Sequence, residues 1–110
     1  MEEKIISIGE KDYILFPSFR NIKRLQTRLG GERFIATGRR LVAQNYGPED
    51  ICIILFCLID ENEKVKYDKF AEDVFRDGFN KFYPLVVNIF ADVMSVGTSD
   101  EVADENPPNR

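Results

Sequence analysis

The chain contains no histidine. That removes the usual general base near neutral pH, the commonest metal ligand, and every Ser-His or Cys-His nucleophilic pair. Catalysis would have to run on carboxylates, lysine or tyrosine alone. Cys52 and Cys57 are the only thiols. Five residues apart on a helix, they point about 140° from each other, which excludes an intrahelical disulfide and a two-point metal clamp. Both read as buried and reduced, as in a cytoplasm. The longest apolar run, Ile51 to Ile59, is nine residues, against roughly 20 for a membrane-crossing helix. No membrane span is expected. The opening Met-Glu-Glu-Lys carries no apolar secretion signal, which again points to a cytoplasm. Gly30-Gly31 follows a helical pattern and lacks a P-loop lysine, so there is no glycine-rich phosphate loop. Metal-ligand spacings are missing too. No catalytic residue, metal or cofactor is assigned, and the chain reads as non-enzymatic.

What is present suits a single soluble domain: 110 residues, of which 44% are hydrophobic and 31% charged, enough for one core and too few for two. The net charge of −4 conceals an asymmetry. Residues 1–47 carry nine Lys or Arg against five Asp or Glu, whereas residues 48–110 carry six against fourteen. Either the halves attract each other within the fold, or a partner reads one face.

Local signals give the expected architecture: α+β, mainly α, an N-terminal β-hairpin followed by about five helices in one compact domain, with a disordered acidic C-terminal tail. Lys4–Gly9 and Asp12–Phe16 are rich in β-branched and aromatic residues around the turn Gly9-Glu-Lys-Asp12, a hairpin over 4–16. Pro17 stops the strand and Ser18 can cap a helix. Phe19, Ile22, Leu25 and Leu29 form an apolar stripe, ended by Gly30-Gly31. A second helix is expected over Glu32–Gln44, with Phe34, Ile35, Leu41 and Val42 inward and Gly38 in close packing against another backbone. Gly47-Pro-Glu-Asp50 starts the Ile51–Ile59 segment; its isoleucines also fit a buried strand, but the start signal favours a helix. Asp60–Lys66 reads as a charged loop. Asp68–Asp77 reads as a helix with Phe70, Ala71 and Val74 inward, stopped by Gly78. Asn80 is the expected cap of a last helix through Phe82, Leu85, Val86, Ile89, Phe90 and Val93, with Pro84 tolerated in its opening turn. The domain thus spans 1–94. Residues 95–110 have little to bury and make the tail.

The carboxylates Glu49, Asp50, Asp60, Glu61, Glu63, Asp68, Glu72 and Asp73 read as caps and solvated faces, since nothing marks a pocket that would split two pKa values. The aromatics, among them Phe70, Phe75, Phe79, Phe82 and Phe90, sit in apolar registers and read as core. The surface signal is basic. Arg20, Arg24 and Arg28 follow at four-residue spacing with Lys23 beside them, and Arg33, Arg39 and Arg40 extend the patch. Like charges so spaced repel by a few tenths of a kcal/mol. An internally paired or solvated face is the first reading and an acidic partner the second, with Arg20, Lys23, Arg24, Arg28, Arg39 and Arg40 as its contacts. Nucleic-acid backbone is the third, disfavoured by the acidic balance.

Gly9, Tyr13, Leu15, Pro17, Phe19, Ile22, Leu25, Leu29 and Gly30 together trace G-x₃-Y-x-L-x-P-x-F-x₂-I-x₂-L-x₃-L-G. With the Gly47–Asp50 helix start and the segment ending at Gly78, this resembles the tail assembly chaperones of long-tailed phages, in particular the small type of gene transfer agents and prophages. The resemblance covers about residues 5 to 94. Gln26 departs from it, standing where an acidic residue is common, and the acidic tail has no counterpart. What the resemblance implies is a non-enzymatic protein of the bacterial host cytoplasm that binds the tape measure protein, with the tail tube protein as a second partner, and assists tube assembly. Homo-oligomerisation is compatible with this role. The basic first helix is the expected contact surface, and an apolar groove beside the hairpin is the second. The alternatives are a nucleic-acid-binding regulator using the basic helices 18–44 and a structural subunit of the tail.

Overall fold

The computed structural model describes residues 3–60 and 62–102. Chain order is β1 (Lys4–Ile8), β2 (Lys11–Leu15), α1 (Phe19–Arg28), α2 (Phe34–Val42), α3 (Pro48–Leu58), α4 (Tyr67–Asp77) and α5 (Tyr83–Val102), with single 3-10 turns at Asn62–Lys64 and Phe79–Phe82. The hairpin is antiparallel with Ile8 opposite Lys11, so its turn is Gly9-Glu10, shorter than expected. Gly9 takes φ 66, which a two-residue hairpin turn requires and glycine adopts without steric cost. Its N–H donates to Asp77 Oδ2 at 2.8 Å, fastening the turn to α4. Ile6, Ile8 and Leu15 face the core while Ile5 and Ile14 face solvent, the period-2 alternation of a half-buried ribbon. An isolated hairpin is marginal. Here the Phe16 N–H donates to Leu58 O and the Asp60 N–H to Ile14 O, each at 2.8 Å, stitching β2 to the chain leaving α3.

α3 is the central element, packed by α1, α4, α5 and the Phe79–Phe82 turn. Ile51, Cys52, Ile54, Leu55, Cys57 and Leu58 are all buried, as an all-round apolar helix must be. The choice between helix and strand falls to helix because Pro48 opens it and Asp50 Oδ2 accepts the Gly47 N–H at 2.8 Å.

Three helical faces and one cap differ from the expected ones. In α1, Leu25 is fully buried but Phe19 is 82% exposed. Phe19 lies about 120° round the helix from Leu25, while Asn21 lies about 40° from it. Asn21 therefore takes the buried place and donates Nδ2–H to Phe16 O at 2.8 Å. In α2, Phe34 and Leu41 are buried whereas Ile35 and Val42 are exposed, each being turned about 100° from its buried neighbour. Gly38 does pack closely, against a ring rather than a backbone: a Cβ there would lie 3.2 Å from Phe90 Cδ2. In α4, Phe70 and Val74 are buried but Phe75 is exposed, about 140° from Phe70. Asn80 caps nothing. It sits within the Phe79–Phe82 turn, its Oδ1 accepting the Tyr46 hydroxyl at 2.6 Å, and α5 begins three residues later at Tyr83.

α5 runs to Val102. Positions 103–110 of the expected tail lie outside the described residues. Among the described residues, no helix is long and apolar enough to cross a membrane.

Candidate functional site

α1 is positioned from both ends. Ser18 Oγ accepts the Asn21 N–H at 3.1 Å at its start, and Gly30 and Gly31, at φ 73 and 90, turn the chain away at its end. With Leu25 held against the core, the flank carrying Arg20, Lys23, Arg24, Thr27 and Arg28 faces a groove of about 650 Å³. Phe56 and Cys57 of α3, with Phe19 of α1, complete its lining. The first turn of α1 has no acidic residue, so the positive end of the helix dipole reinforces the side-chain charge.

Arg20 and Arg28 have identifiable neighbours. The Arg20 Nη2–H donates to Glu63 Oε1 at 3.1 Å, both side chains being about half exposed. Such a solvent-exposed pair adds little to stability. The Glu63 carboxyl is held below its ordinary range by its own backbone N–H first, then by Arg20. The Arg28 guanidinium carbon lies 4.6 Å from the Tyr67 ring centre and 5.1 Å from that of Phe56, a cation–π arrangement that fixes its direction. Burial pushes the Cys57 thiol up, with Arg28 and Arg24 acting in the opposite sense. A protonated thiol is a poor nucleophile.

The two arginines of α2 lie elsewhere. The Arg40 guanidinium donates to Glu32 through Nε (2.7 Å) and Nη2 (2.8 Å), to Asp50 Oδ2 through Nη1 (3.2 Å), and to Asn45 O at 2.9 Å. This raises the Arg40 pKa beyond its already high value, through Glu32 first and Asp50 second. The Glu32 carboxyl is held below its usual range chiefly by the same bond. Arg40 thus ties the residues before and after α2 to the start of α3, and its charge is consumed inside the fold. Arg39 borders a separate apolar groove of about 480 Å³ between α2 and α5, whose walls include Ile35, Val42, Phe90 and Met94. That apolar groove lies between helices rather than beside the hairpin. Of the six basic residues singled out, the structure gathers Arg20, Lys23, Arg24 and Arg28 and sets Arg39 and Arg40 apart.

Three contributions had no sequence signal. Phe56 reads as one more apolar residue of a buried run. Tyr67 falls between the expected Asp60–Lys66 loop and the helix expected from Asp68. Gln26 Oε1 accepts the Phe34 N–H at 2.8 Å, capping α2 where Arg33 offers no side-chain bond; the contact is visible only once the Gly-Gly turn has folded back. Within α4, Asp73 accepts from Lys69 (3.1 Å) and Arg76 (2.8 Å), which hold its carboxyl below the usual range, Lys69 first. That cluster braces α4 under the hairpin turn. Among the described residues no three Cys, Asp or Glu converge in a way that could hold a metal ion.

Compared with protein-family models, curated proteins and solved structures, the chain gives no match.

Proposed function

We propose that the protein is a phage or prophage tail assembly chaperone, non-enzymatic, that binds the tape measure protein in the host cytoplasm and assists tail tube assembly. The observation that carries this reading is the α1 groove. The residues that give the family-like pattern of turn, cap and core are those that build and orient α1, and they turn its four cations and Phe19 outward. An exposed phenylalanine beside concentrated positive charge is a binding surface rather than a catalytic one. Arg40 is withdrawn from that surface, because its guanidinium is already committed to Glu32 and Asp50.

Co-expression with a candidate tape measure protein from the same genome tests the proposal. The expected result is co-purification and a gain in the partner's solubility; neither appearing would sink it. Finding the chain as a stoichiometric component of purified particles would favour the structural-subunit alternative instead. Binding to nucleic acid with a steep salt dependence would favour the regulator.

A further inference from the structure

We propose that the groove between α1 and α3 is the docking site for an acidic amphipathic helix of a partner protein. The inference rests on the reading of this chain as one that works by binding, and it names the chemistry of what is bound.

The ten-residue α1 carries positive charge at Arg20, Arg24 and Arg28, steps of about 6 Å over a row of about 12 Å. The same groove is lined by apolar surface as well: Phe19, 82% exposed, and the half-buried Phe56 ring. A ligand must therefore offer a negative stripe and an apolar stripe lying side by side. A helix does so, with carboxylates at every fourth position and apolar residues one place on; a strand throws successive residues to opposite faces. Arg28 is already fixed by the Tyr67 and Phe56 rings, so little rotamer freedom is lost when it is engaged. Glu63 meets Arg20 at 3.1 Å as a partner carboxylate would. Being an exposed pair, it is weak enough to be exchanged. The remaining charge balance discriminates between anions. The chain as a whole is at −4, which repels an extended polyphosphate, whereas a short acidic helix experiences mainly the local positive field.

The test uses the full chain and a fluorescein-labelled helical peptide of about 14 residues, with Glu at every fourth position and Leu beside each Glu, followed by fluorescence anisotropy. The expected result is saturable binding that weakens between about 50 mM and about 300 mM salt, and none for the peptide with Lys in place of Glu. Lys23→Glu should weaken binding about tenfold, and Phe19→Ser severalfold, with circular dichroism unchanged. Equal binding of the Glu and Lys peptides, or full affinity in both folded variants, overturns the assignment. So does a single-stranded oligonucleotide that binds more tightly than the Glu peptide. The two proposals fail separately. Peptide binding without co-purification of the tape measure protein sinks the chaperone reading and leaves the groove. Unchanged affinity for the tape measure protein in the folded Lys23→Glu and Phe19→Ser variants places the contact elsewhere and sinks the groove alone.

Discussion

Replacing Arg40 by methionine separates a structural role from a partner-binding one. The side chain is 29% exposed and the carboxylates of Glu32 and Asp50 23% each, so the network is mostly but not wholly desolvated. Removing one partner of a fully buried ion pair costs about 3–5 kcal/mol, and an exposed pair returns about 0–1. For this intermediate burial, with two carboxylates and the Asn45 carbonyl losing their donor, we expect a loss of about 2–3 kcal/mol. In a domain of this size that lowers the melting temperature by about 10 °C. Urea unfolding at neutral pH, followed by far-UV circular dichroism, measures it. A double-mutant cycle with Glu32→Gln should give a coupling of about 1–2 kcal/mol. The same pair predicts a pH dependence. The lowered Glu32 pKa contributes stability that is fully present above the unfolded glutamate value, about 4.3, and lost as the pH falls through the lower folded value. Arg40→Met should flatten that acid limb. A loss below about 0.5 kcal/mol, the range of ordinary surface changes, would refute the reasoning. A normal fold with impaired partner binding would return Arg40 to the basic surface.

Phe19→Ser should leave stability within about 0.5 kcal/mol, whereas Leu25→Ala, on the same helix but fully buried, should cost about 2–5 kcal/mol; thermal melts of the two variants side by side decide whether the buried face of α1 is assigned correctly. At Gly38, alanine gains about 1 kcal/mol of helix propensity but presses on the Phe90 ring, itself stacked on Phe34 with centroids 4.1 Å apart. The two effects should nearly cancel. Valine adds bulk with no room to relax and should destabilise by about 1–3 kcal/mol in urea titration; a valine variant as stable as the parent would show that α2 and α5 do not pack this closely.

Element types were largely legible because their signals are local. Ser18, Gly30-Gly31, Pro48 with Asp50, and Gly78 act within a turn of where they sit, and the hairpin alternates over a few residues. The faces were harder to read. Phe19, Ile35, Val42 and Phe75 are apolar and lie within reach of an apolar stripe, yet all four are exposed. Which hydrophobic residues of an amphipathic helix are covered depends on the direction from which neighbours approach, and spacing does not encode that. The candidate site was half legible for the same reason. Arg20, Arg24 and Arg28 share a flank by periodicity alone, but Arg40 shares their charge and not their surroundings. Its carboxylates lie eight and ten residues away in sequence and converge only after α2 has turned back on the chain.

The sequence by itself determined the type and order of the elements, that the Ile51–Ile59 segment is buried, and that α1 carries a basic stripe, because caps, turns and apolar spacing act over a few residues. Only the tertiary structure decided which cations border the α1 groove and which is tied up inside the fold. Placing α3 against α1 opened a groove and set Phe56 and Tyr67 under Arg28, while bringing Glu32 and Asp50 together closed over Arg40. Both outcomes follow from contacts between segments distant along the chain, whose geometry no local pattern contains.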